Sequence, residues 1–106
     1  MSKSPWYLNK SPLGAAYIHY SNTARNNTVL DSKTKELIRL AVSSVFRCNY
    51  CTEHHIKGAF SEGATKEEIS EALLLASLQA AGTQLYWNRD LFERYLGEET
   101  DKVKTV

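Results

Sequence analysis

The sequence predicts an all-α domain, a helical bundle of about five helices. Apolar residues recur at the three- and four-residue spacing of helices across residues 32–46 and 65–80. No segment shows a convincing alternation of apolar and polar residues, the pattern of a half-buried β-strand. Residues 65–68 match a capping box, with Thr65 as the cap and Glu68 reaching back, which predicts the start of a helix.

The first helix follows an N-terminal arm. Residues 1–11 are interpreted as an irregular arm that carries two aromatic side chains. Pro12 suits the first position of a helix, where its missing N–H costs nothing. We therefore predict a helix from Leu13 to about Arg25, with a break at the two asparagines that follow.

The second helix is apolar nearly all round. Asp31 or Ser32 can cap it, and it is expected to run to about Phe46. A helix of this kind is buried on more than one side. Its apolar residues are Leu37, Ile38, Leu40, Ala41, Val42, Val45 and Phe46.

Three more helices are predicted. The third runs from about Asn49 to Phe60, with Gly63 as its stop. The fourth follows the capping box, Gly82 is expected to interrupt or bend it, and the fifth spans residues 83–96. The fourth helix has two apolar faces, one formed by Ile69, Ala72, Leu73, Ala76 and Ala80, the other by Leu74, Leu75 and Leu78.

The apolar surface is larger than one small domain can bury. We divide the chain into the arm, a single domain over residues 12–97 and a polar C-terminal tail over residues 98–106. A lone domain of this size would expose large apolar patches on its second and fourth helices. We therefore expect a homo-oligomer.

Composition excludes several classes of partner. The 106 residues include 13 Lys and Arg against 12 Asp and Glu, with no basic block. A nucleic-acid or acidic-membrane partner is therefore not expected. No stretch approaches the ~18 uninterrupted apolar residues of a membrane-spanning helix.

Cysteine usage indicates a reducing compartment. Two cysteines are too few for a secreted disulfide scaffold, and the first residues show no signal-peptide pattern. We expect a cytoplasmic protein. In the cytosol a close cysteine pair is more often catalytic or metal-binding than structural.

The most informative motif joins two thiols and an imidazole. Cys48 and Cys51 are three residues apart, and His55 follows one helical turn after the second. At ~100° per residue the three fall within roughly 60° of one another on a helix. A shared face of this kind suits thiol–disulfide chemistry or the ligation of a soft metal.

Two features can activate a thiol here. A helix N-terminus near Cys48 and Cys51 favours a thiolate. His55, four residues after Cys51, can accept its proton, whereas His54 points roughly 100° away. Glu36 is a candidate to orient His55, because a carboxylate beside an apolar segment needs a polar partner.

Other interpretations stay open at this point. Cysteines are often small buried hydrophobes, and Tyr50 either lines a pocket or packs. A zinc module would use Cys48, Cys51 and His55 as ligands, with Glu36 or water as the fourth. Structural zinc sites usually draw on a second Cys or His pair, and the chain has none.

The four residues also form a family pattern. Glu36, Cys48, Cys51 and His55 match Glu-x11-Cys-x2-Cys-x3-His. The pattern resembles that of the alkylhydroperoxidase D-like proteins of the carboxymuconolactone decarboxylase superfamily, over about residues 30–87. Relatives often have a histidine between the cysteines, where this chain has Tyr50.

The resemblance implies a function and partners. The family is all-α, forms trimers or hexamers, and contains cytosolic antioxidant enzymes that reduce hydroperoxides or exchange disulfides. It implies a hydroperoxide substrate, an external dithiol or disulfide protein as electron donor, and no cofactor or metal. The decarboxylase branch generally lacks the cysteine pair, so a lyase acting on a lactone is the other alternative.

The resemblance also implies a role for each site residue. Glu36 would orient His55, which would take the proton of Cys51. Cys51 would attack the peroxide, and Cys48 would close the redox disulfide with it. Helix position alone would favour Cys48 as the attacking thiol. Tyr50 and His54 are possible pocket residues.

Overall fold

The computed structural model describes residues 5–8 and 11–97. Within these residues it contains helices and no β-strand, so the prediction of an all-α fold with five α-helices is confirmed. A short 3-10 helix precedes them. The elements are the 3-10 helix Trp6–Leu8, α1 Pro12–Arg25, α2 Ser32–Val45, α3 Asn49–Ser61, α4 Lys66–Tyr86 and α5 Arg89–Leu96.

Side chains cap α1, α2, α3 and α4 at their N-termini, and oxygen atoms form the caps of α1, α2 and α4. The Ser11 hydroxyl accepts the Gly14 N–H of α1 at 3.0 Å, and the Asp31 carboxylate accepts the Thr34 N–H of α2 at 2.7 Å. Both halves of the predicted capping box are present at the start of α4. These contacts satisfy N–H groups that have no partner within the helix.

The fourth and fifth helices differ from the prediction. α4 runs without interruption through Gly82 to Tyr86, so α5 is shorter than the predicted 83–96. One glycine costs a helix only about 1 kcal/mol relative to alanine, which a helix of 21 residues tolerates. The chain breaks at Asn88, whose φ of −139° and ψ of 55° are not helical.

The core lies where α2 packs against both α3 and α4. Leu40 of α2 is fully buried. An ion pair of 2.9 Å between Lys33 and Glu68 joins the starts of α2 and α4. Around Leu40 lie Ala59, Ala64 and Ile69, with Leu37, Ile56 and Leu73 packed at the edge.

The single chain is extended rather than compact. Its radius of gyration is 20.1 Å, whereas a compact domain of this length has about 13 Å. Its accessible surface of 8920 Å² exceeds the about 6,000 Å² of a compact monomer of this size. The exposed apolar side chains on α4 include Leu74, Leu75, Leu78 and Leu85, each 59% to 69% exposed.

The sequence interpretation also concerned membrane-spanning segments and the division of the chain. Among the described residues, no helix combines the length and the apolar character needed to cross a membrane. The division into arm, single domain and tail stays a prediction, and residues 98–106 lie outside the described part of the chain.

Candidate active site

The connection between α2 and α3 sets the position of the cysteine pair. Arg47 adopts a left-handed conformation with φ of 58°, which turns the chain after α2. The Cys48 N–H donates to the Ser43 carbonyl at 3.0 Å. Cys48 then takes the N-cap position of α3, where its Sγ accepts the Cys51 N–H at 3.2 Å. The N-terminus of α3 therefore directs a backbone N–H at the Cys48 sulfur.

Cys48 and Cys51 form a disulfide within the first turn of α3. Their Cα atoms are 5.2 Å apart, and both residues are partly buried. After reduction, the N–H of Cys51 and the positive end of the helix would stabilise a thiolate at position 48. The first turn can thus hold the pair in either oxidation state.

His55 lies one turn beyond Cys51 and contacts the second helix. Its Nδ1 is 2.8 Å from Glu36 Oε2, and the histidine is only 4% exposed. An ionised Glu36 accepts a proton-bearing Nδ1, which leaves Nε2 as the basic nitrogen of neutral His55. The structure therefore brings together the two residues that the sequence could only place on separate helices.

The surroundings of His55 keep it neutral. Burial is the main cause that lowers the pKa of His55 below its usual value of 6.5. The hydrogen bond to Glu36 opposes this change, whereas the positive charge of Arg39 adds to it. A neutral imidazole at pH 7 can act as a proton acceptor.

Sequence reasoning missed Gly58, which lies one turn after His55. A Cβ atom at position 58 would lie 2.7 Å from Glu36 Cδ, too close for the carboxylate to stay in place. The missing side chain therefore makes room for Glu36 beside His55. The available signal was a glycine inside a predicted helix three residues after the histidine, which often marks a close approach.

A cleft of about 620 Å³ opens beside Cys51. The rings of Tyr50 and His54 stack within it, with centroids 6.1 Å apart and planes 12° apart. Cys51 lines the cleft, whereas Cys48 does not. The lining comprises Pro5, Tyr7, Leu8, Tyr17, Ile18, Ser21, Asn22, Arg25, Arg39, Tyr50, Cys51, His54 and His55.

The described part of the chain contains no side-chain geometry that matches the zinc interpretation. Across residues 5–8 and 11–97, no three His, Cys, Asp or Glu side chains are grouped so that they could hold a metal ion. His55 directs Nδ1 to Glu36, and the two sulfurs bond to each other.

Comparison with known proteins decides the family. The model of the carboxymuconolactone decarboxylase family matches residues 12–92. The chain belongs to this family. The resemblance to its alkylhydroperoxidase D-like members is confirmed by a relative named alkyl hydroperoxide reductase AhpD, from Corynebacterium kroppenstedtii. That protein is 39% identical over 75 residues, which cover 67% of this chain and 43% of the relative.

The chain is also similar to a second relative and to two solved structures. Uncharacterized protein 4 in cox locus of Paracoccus denitrificans is 43% identical over 67 residues, 63% of this chain and 60% of its own. The chain thus spans 60% or less of the length of these curated relatives. A carboxymuconolactone decarboxylase family protein of Thermotoga maritima superposes with a TM-score of 0.63 at 28% identity, covering 90% of this chain and 96% of that protein. A protein of Methanobacterium thermoautotrophicum gives 0.71 at 29% identity, covering 81% and 98%.

Proposed function

We propose that the chain is an antioxidant, thiol-dependent hydroperoxide reductase with disulfide oxidoreductase chemistry. The observation that carries this proposal is the Cys48–Cys51 disulfide at the start of α3, with Cys51 and His55 together lining one cleft. The Corynebacterium kroppenstedtii relative named alkyl hydroperoxide reductase AhpD supports it. A metal ion or a lactone substrate has no comparable support among the described contacts.

The first half-reaction oxidises Cys51. Glu36 holds His55 by Nδ1, so that Nε2 can accept the proton of the Cys51 thiol. The thiolate attacks the distal oxygen of the hydroperoxide, and the O–O bond breaks. The alkoxide leaves as an alcohol after taking the proton that His55 received from Cys51. Cys51 becomes a sulfenic acid as the peroxide is reduced.

The second half-reaction closes the disulfide. The Cys48 thiol loses its proton and the thiolate attacks the Cys51 sulfur, and the sulfenic oxygen leaves as water after taking up a proton equivalent to the one that Cys48 released. An external dithiol then reduces the disulfide through a mixed disulfide and supplies two electrons. We assign the attack on peroxide to Cys51 because this sulfur lines the cleft, and resolution to Cys48 because the helix N-terminus favours its thiolate.

Intact mass spectrometry tests this cycle. One equivalent of hydroperoxide should lower the mass of the reduced protein by two hydrogens. Cys48→Ser should stop at a sulfenic acid that dimedone traps, whereas Cys51→Ser should not react. The proposal is wrong if reduced protein keeps its mass. It is also wrong if the enzymatic activity of the wild-type protein survives in the double Cys48→Ser, Cys51→Ser variant. That result would favour a lyase that does not use the cysteines.

We also propose that the chain works as a homo-oligomer, a trimer or hexamer as in the family, in the cytoplasm. The extended shape and the exposed leucines of α4 support assembly, because further copies would cover this apolar surface. A reducing compartment would supply the external dithiol. Light scattering at micromolar concentration would contradict assembly if it gave the mass of one chain.

A further inference from the structure

We propose that the cleft beside Cys51 binds organic hydroperoxides that carry a carboxylate group. The inference rests on the proposed function and deepens it by naming a substrate class. Among the residues that line the cleft, the two permanently charged side chains are both cationic, Arg25 of α1 and Arg39 of α2. No Asp or Glu belongs to this lining.

Arg39 is placed next to the reacting residues. It lies one helical turn after Glu36 on α2 and is partly buried. Arg39 and His55 both line the cleft, and the positive charge of Arg39 adds to the lowering of the His55 pKa that burial mainly causes. A carboxylate bound to Arg39 would therefore bring an attached hydroperoxide close to Cys51.

Neither arginine is neutralised within the described part of the chain. The ion pairs found there join Lys33 to Glu68, His55 to Glu36, and Lys57 to Glu53. Arg25 is exposed, whereas Arg39 is partly buried, and partly burying a guanidinium without a counter-charge is unfavourable. The planar donors of an arginine match the two oxygens of a carboxylate. An anionic ligand would supply the partner that the protein does not.

The remaining lining indicates an organic body on this ligand. The volume of about 620 Å³ lies within the range of small-molecule sites, roughly 300–1,000 Å³. Tyr7, Tyr17, Ile18 and Tyr50 are among the residues that line the cleft. Hydrogen peroxide would need neither the aromatic wall nor the two cations, whereas an aryl or alkyl hydroperoxide with a carboxylate would use both.

A matched pair of substrates tests the inference. Cumene hydroperoxide and its para-carboxylate share the same reacting group and differ in charge. We expect wild type to prefer the carboxylate by about tenfold or more in kcat/KM, the size of a charge-assisted hydrogen bond. Arg39→Gln should bring this ratio close to one, and Arg25→Gln should lower it. A change in thiol reactivity affects both substrates alike, so it does not alter the ratio of their kcat/KM values.

Lys57→Gln is the control variant. It removes the same unit of charge from α3, but Lys57 is exposed, pairs with Glu53 and does not line the cleft. It should keep the wild-type preference. A ratio near one in wild type, or an equal loss in Lys57→Gln and Arg39→Gln, would overturn the inference.

Measuring the binding of unreactive alcohols tests this inference independently of the proposed function. The corresponding alcohols, cumyl alcohol and its para-carboxylate, cannot oxidise the thiols and can be titrated into the disulfide form by calorimetry. Tighter binding of the carboxylate, lost in Arg39→Gln, would support the cleft assignment even if no hydroperoxide were reduced. Equal or undetectable binding of both alcohols, with hydroperoxide turnover intact, would overturn the cleft assignment alone.

Discussion

The carboxylate of Glu36 lies against the backbone of Gly58, in the space that a side chain at position 58 would fill. From there its Oε2 reaches Nδ1 of His55, one turn earlier on the same helix. The distance of 2.8 Å between these two atoms therefore depends on a third residue that takes no part in the chemistry. This dependence gives the first prediction.

Gly58→Ala should slow oxidation of the thiols by at least about tenfold, because the new methyl group displaces Glu36 from His55. Stopped-flow kinetics with the reduced protein would measure the rate. Gly82→Ala is the matched control, since a Cβ there meets nothing within 4 Å. It should keep the rate and stabilise α4 by up to about 1 kcal/mol. Equal rates in Gly58→Ala and wild type would show that the Glu36–His55 contact is dispensable.

Glu36→Gln should also slow the reaction while leaving the shape of the site intact. The neutral amide no longer favours a proton on Nδ1, and losing the carboxylate removes the contribution that raises the His55 pKa. A weaker base would then face Cys51. The rate of disulfide formation measured from pH 5 to 9 would test this, and a profile identical to that of wild type would exclude a role for Glu36.

Some helix boundaries follow from local sequence signals, whereas the packing around the candidate site does not. Asp31 and the capping box at residues 65–68 act over three residues, so the sequence alone predicted helix starts there. The continuation of α4 through Gly82 depends on the whole helix and was not predicted. The same holds for Gly58 and Arg39, whose positions beside the site arise only when α2 packs on α3.

Stability should fall as the pH drops below about 6.5, the value for an unfolded histidine. Burial lowers the pKa of folded His55, so in this window the unfolded chain binds a proton that the folded chain does not. The loss should continue until the pH reaches the lower pKa of the folded state. The midpoints of urea unfolding, measured from pH 5 to 8, would show this loss of stability.

His55→Gln should weaken this pH dependence, since its amide can still donate to Glu36 but does not titrate. His19→Gln, on the exposed part of α1, is the comparison variant and should behave as wild type. If the two variants lose stability alike on acidification, His55 is not the group responsible.

Leu78→Glu should dissociate the assembly. Leu78 is 69% exposed on α4, and a carboxylate buried between copies would have no partner. Light scattering should give a smaller mass than wild type. Ser70→Glu adds the same charge at an exposed polar position near the start of the helix and should leave the mass unchanged. An unchanged mass in Leu78→Glu would place the contact between copies elsewhere.

Cys48 both caps α3 and forms the disulfide with Cys51. Its sulfur occupies the place where serine is among the best helix-capping residues, and it accepts the same N–H that a serine hydroxyl would accept. Replacing Cys48 by serine should therefore prevent closure of the disulfide while preserving, or improving, the start of α3. The proposed resolving role of Cys48 and the N-cap of α3 depend on one atom, and a single exchange of sulfur for oxygen would separate them.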